Sequence, residues 1–204
     1  TKETDDQAIV NWVDQEENIF VYKGHSHDLL ERYYLCAVLY KADVIVRVTA
    51  DDPLKDPEII DHAINEFLND PDLDYCSNTI EPTYPEGLDV EVFSFSALEK
   101  SYQNAKLASE REHLTPYITN NKNLFKLKNF VYKEDLSKWR WTVDKPEDFV
   151  FVTKIFEYFI DNPNVNYQKI IDYIKLNPYL TDINKGTERM EGYKLSVNNE
   201  SKVV

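Results

Sequence analysis

Hydrophobic and polar residues follow one another along this chain in two patterns, one typical of helices and one typical of strands. Apolar residues recur three and four positions apart in the helical segments and form short β-branched runs in the strands. Two capping pairs, Thr4 with Gln7 and Asp28 with Glu31, mark the starts of the first two helices. The predicted helices cover residues 8–13, 29–38, 57–68, 97–106, 110–119, 146–159 and 167–176. The predicted strands cover residues 19–22, 43–50, 88–95, 124–132 and 139–143.

The order of these elements predicts an α/β fold. Strand, helix, strand and helix succeed one another in the first third of the chain, which is the order of right-handed crossover units in a parallel sheet. The run 43–50, DVIVRVTA, is largely apolar, so we expect it to be a strand buried on both faces. Pro146 opens the helix 146–159, because proline is favoured in a first helical turn.

The 204 residues suit one domain of ordinary size with a small addition. We assign residues 1–161 to that domain, and the Asn-Pro-Asn turn that starts at residue 162 ends it. Residues 162–194 are expected to form a helical arm, and residues 195–204 a disordered tail. Four apolar residues of the arm have too few predicted partners, so we expect the arm to pair two chains as a homodimer. They are Ile170, Ile171, Tyr173 and Ile174.

Composition excludes several classes of protein. The net charge of −14 argues against a nucleic-acid partner, which needs a positive surface. No apolar run approaches the ~20 residues of a membrane span, and the polar, acidic first residues show no signal peptide. Cys36 and Cys76 are typical of reduced core thiols. We therefore expect a cytoplasmic protein without membrane insertion.

Two aspartates follow predicted strands at the edge where open α/β sheets bind their ligands. Asp51 and Asp52 come directly after the strand 43–50, and Asp144 comes directly after the strand 139–143. Mg²⁺ favours one or two carboxylates together with phosphate oxygens. Asp51 and Asp144 are therefore candidate ligands of Mg²⁺, although a helix cap or a solvated turn would also account for either residue.

Other charged residues are weaker candidates for a site. Asp89 and Glu91 share one face of a predicted strand, which points either to a hydroxyl-rich ligand or to an arginine. His113 would suit an acid or a phosphate, but a lone histidine on a helix is more often structural. The histidines at positions 25 and 27 have no third metal ligand near them in the sequence. Arg32, on the helix that follows them, is a better candidate for contact with a nucleotide.

Six segments of the chain together resemble the cytidylyltransferase family that activates acidic sugars, and within it the branch of the spore coat polysaccharide biosynthesis protein F. They occur in the expected order over almost the whole chain. The segments are 27–34 (HDLLERYY), 42–61 (ADVIVRVTADDPLKDPEIID), 77–95 (SNTIEPTYPEGLDVEVFSF), 110–118 (EREHLTPYI), 136–149 (LSKWRWTVDKPEDF) and 183–193 (INKGTERMEGY).

The resemblance implies a Rossmann-like nucleotidyltransferase fold of the GT-A type, with a mixed, mostly parallel sheet flanked by helices. The implied reaction transfers CMP from CTP to an acidic sugar with Mg²⁺-dependent release of pyrophosphate, for surface polysaccharide or glycoconjugate biosynthesis. By position, Asp51 and Asp144 match the two metal-binding aspartates of the family, and we assign them as catalytic. The residues that the resemblance places in contact with the nucleotide or the sugar are Arg32, Asp89, Glu112, His113 and Arg140.

The chain departs from the family pattern in places. Ala50 stands where glycine is common, and Asp52 adds a charge beside Asp51. The basic, glycine-containing loop that holds the triphosphate in the family has no counterpart here, so we expect a fold that lacks its first strand and phosphate loop. We also expect this chain alone to turn over CTP negligibly. Two other functions stay open: a non-catalytic sugar or sugar-nucleotide binding module, and a GT-A glycosyltransferase in which the adjacent acids at 51 and 52 bind the metal.

Overall fold

The fold is taken from a computed structural model in which residues 1–162 and 164–200 are described. The predicted turn includes Pro163 and the predicted tail includes residues 201–204, which lie outside the described residues. The helices are α1 (Gln7–Val13), α2 (Leu29–Tyr40), α3 (Pro57–Leu68), α4 (Phe95–Asn104), α5 (Ala108–His113), α6 (Pro116–Asn120), α7 (Pro146–Phe159), α8 (Tyr167–Leu176) and α9 (Glu191–Asn198). Short 3₁₀ helices cover Thr4–Asp6 and Pro178–Asp182. Within the described part, no helix combines the length and the apolar character needed to cross a membrane.

Four strands, β1 (Val44–Arg47), β2 (Tyr75–Ser77), β3 (Glu91–Ser94) and β4 (Leu127–Asn129), form one sheet in the order β1-β3-β2-β4. β2 and β3 are antiparallel, with Tyr75 opposite Phe93. β2 and β4 are parallel, with Tyr75 opposite Leu127. The predicted class, α/β with a mixed sheet and flanking helices, is confirmed.

The described residues divide into two compact units, and the first is formed by residues 1–45, 94–126 and 192–200. Its core lies where α2 packs against α4 and α5. The ring of Tyr34 stacks on Tyr102 with 4.2 Å between centroids, and lies 5.9 Å from Phe95. At the start of α2 the Asp28 carboxylate accepts the backbone N–H of Glu31. The predicted cap of this helix is therefore confirmed.

The second unit comprises residues 46–93 and 127–191, and α3 packs against β2 within it. The buried carboxylate of Asp56 caps the N-termini of two helices in this unit, α3 and α8. Its Oδ1 accepts the N–H of Glu58 in α3 at 2.8 Å, and its Oδ2 accepts the N–H of Tyr167 in α8 at 2.6 Å. A single acid thus satisfies backbone donors that both helix starts would otherwise leave unpaired.

The helix of the predicted arm, α8, belongs to the second unit. α8 begins and ends as predicted, but Ile170, Ile171 and Ile174 are 4%, 0% and 0% exposed within the second unit. Tyr173 stacks on Tyr158 of α7, with ring centroids 3.7 Å apart. Because these apolar residues have partners inside the chain, the argument for a homodimer through this helix loses its basis.

The predicted disordered tail also needs correction. Residues 195–198 belong to α9. Two side chains of this helix contact His113 of α5 in the same unit: the Ser196 hydroxyl lies 2.9 Å from Nε2, and the Tyr193 ring meets the imidazole edge-on at 5.3 Å. These contacts explain why the polar segment is helical.

The strand after α2 is shorter and more exposed than predicted. β1 ends at Arg47, and Val46 and Val48 are 37% and 44% exposed while Ile45 is buried. Successive side chains of a strand point to opposite faces, so within the described residues one face of this strand is covered and the other is not. The expectation of burial on both faces was wrong.

Other predicted elements are shortened or absent. The strands expected at 88–95 and 124–132 are present in part as β3 and β4, and residues 19–22 form no strand. Among the described residues, 139–143 make a single bridge, between Arg140 and Glu86, in place of the predicted strand. The helix expected at 110–119 is split into α5 and α6, because Leu114 has a φ of 75° that a right-handed helix does not allow.

Candidate functional site

The loop after β1 separates two neighbouring aspartates into a buried one and an exposed one. Asp52 is 7% exposed, and its carboxylate accepts the Thr49 hydroxyl and, at 2.8 Å, the Lys55 ammonium. Asp51 beside it is exposed to solvent. Because Asp52 already binds two donors, Asp51 is the acid of this pair that is open to a ligand.

Asp144 is brought next to this loop by the backbone. The N–H of Val143 donates to the carbonyl oxygen of Asp51 at 2.8 Å, and the Thr142 hydroxyl donates to the same oxygen at 3.3 Å. Asp144 follows directly, with 53% of its side chain exposed. The two predicted metal acids therefore lie on adjoining loops, and both reach solvent.

Arg140, predicted to contact the nucleotide or the substrate, is buried behind Asp144 with 6% of its side chain exposed. Its guanidinium donates to three carboxylates, and we call these four residues the Arg140 cluster. The contacts are Nη1 to Glu86 at 2.8 Å, Nε to Asp148 at 2.9 Å, and Nη2 to Asp144. Burial alone would lower the pKa of Arg140, but the bonds to Asp148 and the charge of Glu86 raise it. The guanidinium of Arg140 is thus bound by three carboxylates in the structure, and its predicted contact with the nucleotide or the substrate stays a prediction.

Asp148 is fully buried and holds the turn that carries Asp144. Its Oδ2 accepts the backbone N–H groups of Asp144 at 3.1 Å and Lys145 at 3.0 Å, and its Oδ1 accepts the Asn184 amide at 2.9 Å. Burial raises the pKa of Asp148, but the hydrogen bonds from Arg140 and Asn184 outweigh burial and hold the pKa below its usual range. Asp148 is therefore an ionised, fully hydrogen-bonded support for the start of α7.

Gly87 lets Glu86 reach the cluster. The backbone of Glu86 donates to the Trp139 carbonyl at 2.9 Å and accepts the Trp141 N–H at 2.7 Å. Gly87 has a φ of +105°, and a Cβ at this position would lie 2.7 Å from the carbonyl carbon of Trp141. Only glycine suits this conformation and this close approach of two backbones.

A cavity of about 610 Å³ lies beside Asp51. It is lined by the loop after β1, by Val143 and by one face of α7. The lining from α7 and from Ile160 directly after it is largely apolar, and Phe149, Phe156 and Ile160 are all exposed. The volume is in the range of small-molecule sites, so there is room for a ligand next to the exposed carboxylate.

Asp89 and Glu91 both face arginines. Of the two explanations that the sequence offered for these acids, a hydroxyl-rich ligand or an arginine, the second applies. Asp89 pairs with Arg189, and Glu91 pairs with Arg47. Asp89 has 28% of its side chain exposed. Burial raises the pKa of Asp89 to about 6, against the opposing charges of Arg189 and Lys55. Its predicted role on the sugar side of a pocket stays a prediction.

Three of the residues predicted to bind a ligand, Arg32, Glu112 and His113, belong to the first unit and contact other residues of that unit. The Ser196 hydroxyl donates to Glu112 at 2.8 Å and bonds to His113 at 2.9 Å. Arg32 on α2 packs against Gly24, since a Cβ on that glycine would lie 2.5 Å from Arg32 Cγ. Their proposed contacts with a nucleotide or a sugar remain predictions.

The histidine pair before α2 has a structural explanation. Nδ1 of His25 accepts the backbone N–H groups of His27 at 3.1 Å and Asp28 at 2.9 Å. A nitrogen that accepts two backbone donors closes the loop that leads into α2, and this contact accounts for His25 without a metal.

Several residues around Asp144 were not predicted as functional. They are Glu86, Asp148 and Asn184. All three lie in matching segments, which was the one available signal. Glu86 and Asn184 contact Arg140 across 54 and 44 residues of sequence, so no local pattern could assign those two.

Comparison with known proteins bears on the whole chain. Residues 3–189 match the family model described as cytidylyltransferase. An uncharacterized protein of Methanocaldococcus jannaschii is 36% identical over 206 residues, which cover 95% of this chain and 82% of that protein. The spore coat polysaccharide biosynthesis protein SpsF of Bacillus subtilis is 27% identical over 189 residues, which cover 87% of this chain and 72% of SpsF.

One solved structure is similar in both sequence and fold. A cytidylyltransferase from Leptospira borgpetersenii is 33% identical, with a TM-score of 0.85 over 93% of this chain and 79% of that chain. The residues matched by the family model include Asp51 and the whole Arg140 cluster.

Proposed function

Because this chain belongs to the cytidylyltransferase family, we propose that it transfers CMP from CTP to a hydroxyl group of an acidic sugar and releases pyrophosphate. The observation that carries the proposal is the hydrogen bond between Val143 N–H and the Asp51 carbonyl, which sets two exposed carboxylates on adjoining loops. The SpsF relative is named for the biosynthesis of spore coat polysaccharide. We therefore propose a role in the biosynthesis of a surface polysaccharide or glycoconjugate.

The carboxylates of Asp51 and Asp144 fit Mg²⁺. Within the described residues, no group of three or more Asp, Glu, His or Cys side chains is placed to hold a metal. Mg²⁺ commonly uses one or two carboxylates and takes its remaining ligands from phosphates and water. When bound, the ion would neutralise charge on the phosphate oxygens during transfer. Asp51 and Asp144 would hold it.

In the proposed reaction, an oxygen of the sugar hydroxyl forms a bond to the α-phosphorus of CTP. The bond between that phosphorus and the pyrophosphate oxygen breaks, and the hydroxyl proton is released. Such transfers depend mainly on positioning and on charge neutralisation. The chain contributes two carboxylates at the reaction centre and an adjoining cavity of about 610 Å³.

The thiols agree with a reducing compartment. Cys36 and Cys76 are unpaired with each other, and burial raises the pKa of the Cys76 thiol to about 11. A thiol of this kind is mostly uncharged at neutral pH and therefore unreactive. We propose a cytoplasmic location.

The proposal is tested with the whole gene product, CTP, Mg²⁺ and a panel of acidic sugars, by measuring pyrophosphate release and identifying CMP-sugars by mass spectrometry. Asp51→Asn is expected to lower the rate on the order of 100-fold or more, because a charge that acts in the transition state is removed. Asp182→Asn is the matched control, since Asp182 is 66% exposed and pairs, within the described part of the chain, with the nearby Lys185. Its rate should equal that of the wild type.

Other results would assign a different function. Tight binding of a CMP-sugar without any turnover would indicate a non-catalytic binding module. Transfer of the sugar from a nucleotide sugar to an acceptor would indicate a glycosyltransferase. Full activity of folded Asp51→Asn would show that the metal site is assigned wrongly.

A further inference from the structure

Asp144 is held at its side chain and at its backbone by one pair of buried residues. Nη2 of Arg140 donates to the Asp144 carboxylate, and Oδ2 of Asp148 accepts the Asp144 backbone N–H at 3.1 Å. Arg140 and Asp148 also bind each other twice, through Nε and Oδ1 at 2.9 Å and through Nη2 and Oδ2 at 3.1 Å. Asp144 therefore has a fixed position although half of its side chain faces solvent.

The Arg140 cluster contains one cation and three carboxylates. Glu86 and Asp148 have 13% and 1% of their side chains exposed, whereas Asp144 has 53% exposed. The negative charge that the guanidinium does not neutralise is thus closest to solvent at Asp144. A divalent cation is the ligand whose charge best complements such a position.

Residues in the segment before α9 also donate hydrogen bonds to the Arg140 cluster. The Asn184 amide donates to the Arg140 carbonyl and to Oδ1 of Asp148, both at 2.9 Å. The backbone N–H of Met190 donates to Oε1 of Glu86 at 3.1 Å. Each carboxylate that holds Arg140 from behind is therefore itself held, and the guanidinium has a defined orientation.

We propose that Arg140 is a positioning residue of the metal site, which keeps the Asp144 carboxylate in the orientation that binds the cation. The inference rests on the proposed function, because it requires Asp144 to be a metal ligand. A guanidinium suits this task because its planar fork presents several donors in fixed directions, whereas a lysine ammonium is a single point charge. Partners that orient a metal ligand commonly change metal affinity or activity 10- to 100-fold when they are mutated.

The experiment measures the affinity of the whole gene product for Mn²⁺, with and without CTP, from the electron paramagnetic resonance signal of the free ion. Arg140→Lys should keep the charge but weaken Mn²⁺ binding about 10- to 100-fold, and Arg140→Met should weaken it further. Arg47→Lys is the matched control, since Arg47 also pairs with a buried carboxylate, Glu91, but does not belong to the Arg140 cluster. Its affinity should stay unchanged.

The results separate this inference from the proposed function. If Asp144→Asn binds Mn²⁺ as the wild type does, or if the wild type binds none even with CTP, the metal site is wrong and the role of Arg140 falls with it. If Asp144→Asn loses Mn²⁺ but folded Arg140→Lys retains full affinity, only the positioning role is wrong. Circular dichroism checks folding, and if Arg140→Met does not fold, the comparison of Arg140→Lys with Arg47→Lys decides the question.

Discussion

Two groups of acids in the second unit meet arginines in different ratios. Asp89 and Glu91 each have an arginine of their own. In the Arg140 cluster three carboxylates share one guanidinium, and Asp144 at its outer side stays largely exposed. One-to-one pairing neutralises each acid inside the protein, whereas three-to-one sharing leaves negative charge at an exposed carboxylate. The comparison indicates which acids support the fold and which are open to a cation.

The largest loss of stability is expected when Asp148, the most buried carboxylate of the Arg140 cluster, is removed. Asp148→Ala leaves Arg140 buried beside fewer partners and removes the acceptor of two backbone N–H groups. Removing one member of a buried ion pair costs about 3–5 kcal/mol. Urea unfolding at pH 7 should show a loss of this size, and a loss below about 1 kcal/mol would mean that the cluster does not hold the turn.

Asp89 tests, through pH, how far burial outweighs the charge of its arginine partner. Its pKa is about 6 in the folded protein and is ordinarily 3.8, so the folded state binds this proton more tightly. The resulting stabilisation is fully present below pH 4 and is lost as the pH rises through 6, by at most about 3 kcal/mol. Wild type should therefore lose more unfolding free energy than Asp89→Asn between pH 4 and pH 7. If urea unfolding gave parallel pH curves for the two proteins, burial would not raise the pKa of Asp89.

Gly87→Ala sharpens the comparison by disturbing the approach of Glu86 to the Arg140 cluster without removing a charge. The added Cβ would meet the Trp141 carbonyl carbon, and alanine disfavours a φ of +105°. Strain of this kind costs about 1–3 kcal/mol. Thermal unfolding should show the loss. An unchanged melting temperature would mean that the two backbones move apart without cost.

The smallest change in stability is expected at a surface ion pair that belongs neither to the one-to-one pairs nor to the Arg140 cluster. Lys175 and Glu134 form a surface pair at 2.6 Å, with 39% and 43% of their side chains exposed. Lys175→Met should change stability by no more than about 0.5 kcal/mol, because exposed pairs contribute little. A loss as large as that of Asp148→Ala would show that burial does not separate the two groups of acids.

The helices that were predicted correctly have local causes. α3 and α7 each begin with a proline at the first helical position, and α8 has apolar residues at helical spacing. The exposure of Val46 and Val48 could not be predicted, because a β-branched run does not reveal what covers each face of its strand. The lengths of the strands were overestimated for the same reason, because pairing partners and not composition decide where a strand ends.

The same distinction applies to the candidate site. Asp51 and Asp144 could be proposed as metal ligands because each follows a predicted strand in a matching segment. The burial of Arg140 could not, because its partners include Glu86, 54 residues earlier, and its carbonyl meets Asn184, 44 residues later. A sequence pattern finds residues that end an element, whereas the structure is needed to find residues that hold them in place.

Anomalous diffraction at the manganese edge, from crystals of the whole gene product with CTP and Mn²⁺, tests the central claim most directly. The account predicts an anomalous peak in contact with the carboxylates of both Asp51 and Asp144, with Arg140 still bound to Asp144. A peak elsewhere, for example at Asp89 or at His25, with none between Asp51 and Asp144, would contradict it.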